Sequence, residues 1–168
     1  MADLRRRAVM VATRLGPLRV EFTNKGIAAV QFGRTSFQLV PGGGQAGSLP
    51  RGFRKQLQRY AAGQPVKFRC RLDLTGATAF QRRVWRVLRT IPCGQTRSYA
   101  WVAARLGQPG AARAVGRACG ANPVPILIPC HRVVARNGAL GGFSAGRKWK
   151  RRLLALERAK KNGLSFSR

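Results

Sequence analysis

The chain has 168 residues, enough for one domain or one compact domain with a small appendage, and its 45% hydrophobic content supports an ordinary core. Lysine and arginine number 33 against four acids, Asp3, Glu21, Asp73 and Glu157, for a formal charge of +29. Such a surface attracts polyanions, nucleic acid first and an anionic membrane second, with a merely solvated basic face as the alternative. No stretch approaches the ~20 apolar residues of a membrane span, and no basic amphipathic helix with a full apolar face stands out.

In chain order, Arg5 to Arg7 precede a short apolar run, Ala8 to Ala12, that Thr13 and Arg14 interrupt, which is not a secretory leader. Residues 8–13, 18–23 and 27–32 read as short strands, with Asn24-Lys25-Gly26 as a hairpin turn. Pro41 to Pro50 is rich in Gly and Ser and reads as a loop. Residues 51–62 read as a basic helix closed by Gly63 and Pro65. Val66, Phe68, Cys70, Leu72 and Leu74 alternate with other residues, which predicts a strand over 66–74.

From Thr78 the pattern turns helical. Phe80, Val84, Val87 and Leu88 fall at helical spacing up to Thr90, and Pro92 and Gly94 end the run. Ser98 is the N-cap expected for a helix through Leu106. A tight turn, Gly107-Gln108-Pro109-Gly110, leads to a slim, alanine-rich helix from Ala111 to Cys119. Two short helices about a Gly-containing turn suggest a helix-turn-helix. Pro123, Pro125 and Pro129 forbid a regular helix, so Asn122 to Val134 is expected to be a stiff, extended loop entering a short strand. Asn137-Gly138 marks a turn, Gly141, Gly142 and Gly146 a polar loop, and a last helix runs from about Arg147 to Lys160 with Trp149, Leu153, Leu154 and Leu156 inward. The fold class is therefore α+β: a small antiparallel sheet domain over residues 1–77 and a mostly helical, winged-helix-like domain over 78–168.

Cys70, Cys93, Cys119 and Cys130 match no zinc spacing, and His131 is the only histidine, so no metal site is expected. Wide cysteine spacing in a chain that is not cysteine-dense points to free thiols and a reducing, intracellular setting. Most such cysteines are inert core residues. Cys130 stands apart because His131 follows it in a proline-stiffened loop of a basic protein. A thiolate is the nucleophilic form, and an imidazole is a suitable base. In an extended segment the two side chains point to opposite sides, so a bridging water would carry the proton. Glu157 either orients His131 as the acid of a triad does or is a surface acid paired with a nearby arginine.

The segment Asn122-Pro-Val-Pro-Ile-Leu-Ile-Pro-Cys-His-Arg-Val-Val134 closely resembles the active-site segment of the 6-O-alkylguanine-DNA alkyltransferases, the methylated-DNA–protein-cysteine methyltransferases. The likeness runs from about Thr78 to Glu157 and takes in Ile91-Pro92-Cys93-Gly94, Ser98-Tyr99, Ala112-Arg113-Ala114-Val115-Gly116, Gly141-Gly142-Phe143-Ser144 and Leu153-Leu154-Ala155-Leu156-Glu157. Residues 1–77 match only in layout.

The resemblance implies direct DNA repair. The alkyl group of 6-O-alkylguanine passes to Cys130 once per molecule, with no cofactor, and 4-O-alkylthymine stays open as a second substrate. The implied partner is double-stranded DNA, entered from the minor groove with the damaged base flipped out, and the implied state is a monomer that coats DNA cooperatively in some members. Such a protein would lie in the cytoplasm on a prokaryotic nucleoid, or in a eukaryotic nucleus. Cys130, His131, Glu157, Asn122 and Tyr99 would be catalytic, with Asn122 as hinge between groove helix and loop and Tyr99 donating to the purine. Tyr99, Pro125, Val133, Phe143 and Ser144 would form the pocket, with backbone groups of Cys130, Val133 and Ser144 reading the guanine edge. DNA would be met by Gln95, Thr96, Ser98, Ala111, Ala112, Ala114, Gly116 and Arg113, the last either filling the gap in the base stack or touching phosphate. Arg132 would brace the loop. Phe143, where relatives often carry Tyr, and Trp101 depart from the usual pattern. The competing functions are a non-catalytic lesion binder of the alkyltransferase-like type and a basic architectural DNA-binding protein. The presence of Cys130 argues against the former. The Pro-Cys-His-Arg loop argues against the latter.

Overall fold

The computed structural model describes residues 6–33 and 49–161, the side chains of 159–161 excepted, and the chain divides into two compact units, Met1–Leu74 and Thr75–Arg168. In the first unit, β1 (Arg7–Val11), β2 (Leu18–Thr23) and β3 (Gly26–Phe32) form an antiparallel sheet in sequence order. Thr23 pairs with Gly26 across the two-residue turn Asn24-Lys25. Gly26 has φ +146°, and a Cβ there would come 2.3 Å from the Arg71 carbonyl oxygen, so only glycine lets the two backbones approach. The basic helix α1 (Phe53–Ala61) buries Phe53, Leu57, Tyr60 and Ala61. Gln58 and Arg54 reach from it to the carbonyls of Ala12 and Met10.

The strand expected over 66–74 does not form. Only Leu72 bridges, to Ile27, flanked by Ile27 N–H to Arg71 O (2.9 Å) and Asp73 N–H to Ile27 O (2.8 Å). The alternation is real, since Val66, Phe68, Cys70 and Leu72 are half-buried while Lys67, Arg69 and Arg71 are exposed. Phe68 packs on the rings of Phe53 and Tyr60. An alternating pattern reports an extended chain on an apolar surface. It does not report a neighbour with backbone groups to pair. The loop expected over 41–50 lies, except for residues 49 and 50, outside the described residues.

In the second unit, α2 (Ala79–Leu88) starts at a capping box in which the Thr78 hydroxyl accepts from Gln81 N–H and the Gln81 side chain accepts from Thr78 N–H. Its buried face is Val84, Trp85 and Leu88. Next come β4 (Arg97–Ser98) and α3 (Tyr99–Arg105), the latter N-capped by the Ser98 hydroxyl at 3.0 Å from Trp101 N. A 3-10 turn at Pro109–Ala111 leads into α4 (Ala112–Gly120), one residue later than expected at each end. Helices α2, α3 and α4 pack on one another, and the Trp85 indole N–H donates to Ala118 O at 2.8 Å. Together α3 and α4 form the helix-turn-helix. The active-loop cysteine, expected in an extended segment, sits in a 3-10 turn over Cys130–Arg132. The chain then enters β5 (Val133–Val134), parallel to β4. The last helix, α5 (Arg147–Lys161), buries Lys150, Leu153, Leu154 and Glu157, while Trp149 and Leu156 are only half-buried. Its inward stripe is thus half polar.

Candidate active site

Asn122, two residues past the end of α4, knots the proline-rich loop to itself. Its side-chain N–H group donates to Ile128 O (2.8 Å) and to Cys130 Sγ (3.1 Å), and its Oδ1 accepts from Val124 N–H (3.0 Å). With three prolines limiting the backbone, this one amide holds both arms of the loop. Ile126 at its tip has φ +78°, a left-handed conformation that a β-branched residue resists. The tertiary structure imposes it at a cost of order 1–3 kcal/mol.

Cys130 is 2% exposed. Burial raises its thiol to about 11, against the opposing pull of the Asn122 hydrogen bond and the nearby Lys150 charge. The resting sulfur is therefore a protonated thiol. His131 is fully buried, and its Nε2 lies 2.8 Å from Glu157 Oε1. Burial holds its imidazole below the usual histidine range despite the carboxylate, so the ring is neutral at rest. Burial opposes ionisation of Glu157, but the His131 contact and the Arg132 guanidinium outweigh it and hold the carboxyl well below the usual range. Arg132 meets both Glu157 oxygens, at 2.9 and 2.8 Å, and donates to Ile91 O at 2.6 Å, while Gly94 N–H donates to Glu157 at 3.1 Å. Arg132 is thus a brace, and Glu157 is a buried acid rather than a surface one.

A cavity of ≈ 550 Å³ is lined by Tyr99, Ala112, Arg113, Gly116, Gly120, Gly142, Phe143 and Ser144, and Cys130, His131, Asn122 and Glu157 are not among its lining residues. That is within the roughly 300–1,000 Å³ of small-molecule pockets. Tyr99 links cavity and cluster. Its phenol is pushed up to about 12 by burial and by the proximity of Cys119 and Cys130. Gly141, at φ +62°, leaves the space that ring needs, for a Cβ there would stand 2.7 Å from the Tyr99 oxygen. Phe143 meets His131 edge-on, with ring centroids 6.5 Å apart.

Of the residues singled out in the sequence, the structure brings Tyr99, Ala112, Arg113, Gly116, Phe143 and Ser144 to the cavity. Cys130, His131, Asn122 and Glu157 form the buried network described above. Pro125 and Val133 are buried and do not line the cavity, and the Val133 carbonyl accepts from Lys150 Nζ at 2.6 Å. Ser98 serves as the α3 cap. Gln95 Oε1 and the Thr96 carbonyl both accept from the Arg97 guanidinium. Ala111 and Ala114 are half-buried at the start of α4. Arg97 and Arg105 stack on the Trp101 ring at 5.4 and 5.6 Å, which gives that unusual residue a partner on each side in sequence.

Lys150 is the residue beside this cluster that sequence reasoning missed. It is wholly buried, and its ammonium donates to Val133 O, Gly142 O (3.3 Å) and Tyr99 Oη (3.5 Å). Burial lowers its affinity for the proton, and the thiols of Cys130 and Cys119 raise it. The signal was present: Lys150 lies three, four and seven residues before Leu153, Leu154 and Glu157, on the inward stripe of the last helix.

The family model for the DNA-binding domain of 6-O-methylguanine DNA methyltransferase matches residues 79–159. A methylated-DNA–protein-cysteine methyltransferase of Shigella flexneri is 40% identical over 158 residues, 88% of this chain and 92% of the relative. That of Mycolicibacterium paratuberculosis is 54% identical over 112 residues, 65% of this chain and 67% of the relative. That of Salmonella typhimurium is 51% identical over 108 residues, and the match spans 63% of its length, under two thirds. Among solved structures, the Mycobacterium tuberculosis O6-methylguanine methyltransferase superposes with a TM-score of 0.79 at 38% identity, over 93% of this chain and 94% of that one. The same organism's protein in complex with DNA gives 0.77 at 38% identity, over 92% and 93%.

Proposed function

The chain belongs to the methylated-DNA–protein-cysteine methyltransferase family, and on that premise we propose that it repairs DNA by moving the alkyl group of 6-O-alkylguanine onto its own Cys130. One observation carries the assignment of the acceptor. The Cys130 sulfur accepts from Asn122, adjoins the buried His131–Glu157–Arg132 network, and neighbours the Tyr99 that lines the cavity.

The chemistry follows from the resting protonation states. With Glu157 ionised on Nε2, that nitrogen keeps its hydrogen and Nδ1 is the basic site of the ring. The thiol gives up its proton towards that nitrogen, through a water where the two do not touch, as the sulfur attacks. The Asn122 N–H and the Lys150 charge favour the sulfur's developing negative charge. An S–C bond forms in line as the C–O bond breaks, and the electron pair leaves with the guanine oxygen. Tyr99, still a phenol at neutral pH, is placed to donate its proton to guanine N3 as charge builds on the purine. A thioether results, which neither water nor His131 can readily cleave, so each molecule acts once.

In this reading DNA is the partner, and α4 enters its minor groove as a monomer. Arg113 takes the place of the extruded base, which occupies the cavity between Tyr99, Phe143 and Ser144. The compartment is the one that holds the DNA, a nucleoid or a nucleus. Incubation with a methylguanine duplex followed by intact-mass measurement tests the reading. One added methyl on Cys130, absent from Cys130→Ala, is expected. Lesion binding without any mass gain would instead favour a non-catalytic lesion binder, and equal affinity for damaged and undamaged duplex without transfer an architectural one.

A further inference from the structure

From Thr75 onward the sequence contains a single carboxylate, Glu157, and that one is buried against His131 and Arg132. Within this unit the sequence therefore offers the basic surface no second acidic side chain. The charge is not confined to the helix-turn-helix. On α2 and its C-cap, Arg82, Arg83, Arg86 and the capping Arg89 are all exposed, and Arg82, Arg86 and Arg89 follow one another at helical spacing. Like charges three and four residues apart repel and weaken a helix, so the ridge is one that an anion would stabilise. Two of its members are positioned by backbone carbonyls, Arg82 Nε on Ala77 O at 3.1 Å and Arg83 Nη2 on Leu106 O at 2.8 Å.

The packing of α2 on α4 decides what this ridge can reach. The inward face of α2 is Val84, Trp85 and Leu88, and Trp85 donates to the Ala118 carbonyl of α4. The inward face of α4 is Val115, Ala118 and Cys119, while Arg113, Arg117 and Gly120 are exposed, and Arg113 and Gly120 line the cavity. Two helices joined through their buried faces present their outer faces to opposite sides. With helix axes about 8–10 Å apart and side chains beyond them, one duplex seated on the α4 face does not also cover the α2 ridge.

We propose that the ridge of Arg82, Arg86 and Arg89, flanked by Arg83, is a second DNA-backbone surface, so that one molecule holds two duplex segments, one at the α4 face and one at α2. The proposal rests on the reading of this unit as a DNA-repair module and adds a second, sequence-blind phosphate contact to it. Arginine suits the task, because its guanidinium fork matches phosphate oxygens and stays charged at any working pH. A repair protein so built would stay attached to one segment while testing another.

The test is a bridging assay with the full chain. An undamaged biotinylated duplex is fixed on beads, and a fluorescent duplex of unrelated sequence is offered in solution. Wild type is expected to retain the second duplex on the beads. The Arg82→Gln/Arg86→Gln/Arg89→Gln variant is expected to lose that retention about tenfold, with the salt slope of retention falling by roughly 0.9 for each phosphate contact removed. The corresponding triple lysine variant, which keeps the charge, should retain most of it. Methyl transfer from a single short methylguanine duplex should stay within about twofold of wild type in every variant, by independence of distant sites. Loss of that transfer in wild type would strike at the repair reading, whereas undiminished bridging by the glutamine variant would overturn the second surface alone. Should the triple variant fail to fold, Arg86→Gln and Arg89→Gln are measured singly, and an unchanged salt slope in both overturns the proposal.

Discussion

Replacing Glu157 by glutamine separates the two tasks that the structure gives this side chain. Glutamine keeps the shape and one acceptor oxygen but loses the charge. Its amide nitrogen must then face a donor, since Arg132 donates to both carboxylate oxygens and Gly94 N–H and His131 complete the set. Breaking a buried ion pair by neutralising one partner costs about 3–5 kcal/mol. The Arg132 side chain is still 12% exposed, so the lower end, about 3 kcal/mol, is expected, a large share of a typical total of about 5–15 kcal/mol. Urea unfolding of wild type and variant at pH 7 measures it. Because the folded carboxyl is held far below its unfolded value of ~4.3, the pair contributes fully above that value, and its contribution is lost as pH falls through the folded value. The difference between wild type and variant should therefore be flat from pH 7 to about 5 and shrink only in stronger acid. Transfer should slow, since His131 loses the anion that fixes its tautomer, while affinity for undamaged duplex stays within about twofold of wild type, the carboxylate being buried away from solvent. Adding Arg132→Met should restore much of the stability, because no unpaired charge then remains, yet should not restore the transfer rate. A stability loss under about 1 kcal/mol together with a wild-type transfer rate would refute the reasoning.

Three further outcomes are expected. In the absence of DNA, iodoacetamide should modify Cys130 slowly at pH 7.5, where roughly one thiol in three thousand is ionised, and the rate should climb about tenfold per pH unit towards pH 11; a plateau near pH 8.5 would mean that the thiol is not held up by burial. Gly141→Ala should cost about 1–2 kcal/mol in the left-handed backbone alone and displace the Tyr99 hydroxyl that a Cβ would approach to 2.7 Å, lowering transfer more than duplex affinity; equal losses in both would count against a role for Tyr99 at the reacting base. Arg113→Ala should impair repair of the duplex lesion while leaving the reaction of Cys130 with a free alkylguanine base unchanged, and normal duplex repair by that variant would remove Arg113 from the groove face.

Much of this molecule was legible in its sequence because the signals were local. Thr78, Ser98 and the two glycines and one proline at 107–110 punctuate the helices by interactions with their own neighbours, and the helix boundaries fall within a residue or two of expectation. The hairpin at Asn24-Lys25 is equally local. The Cys130-His131-Arg132 run stands out because a thiol and an imidazole are adjacent in a segment that three prolines keep irregular. What failed needed knowledge of a partner. Residues 66–74 alternate as a strand does, but the ladder requires a free edge along their length, and Ile27 offers one bridge.

The sequence by itself determined the basic surface, the helix-turn-helix and the candidate cysteine, since composition, periodicity and caps are properties of a chain and its near neighbours. Only the tertiary structure decided that Glu157 lies inside, that Lys150 joins it on the inward face of the last helix, and that the resting sulfur keeps its proton. Burial is collective. Whether a carboxylate, an ammonium or a thiol bears charge depends on how much water the rest of the fold excludes and which distant groups it brings near, and neither is written in the order of adjacent residues.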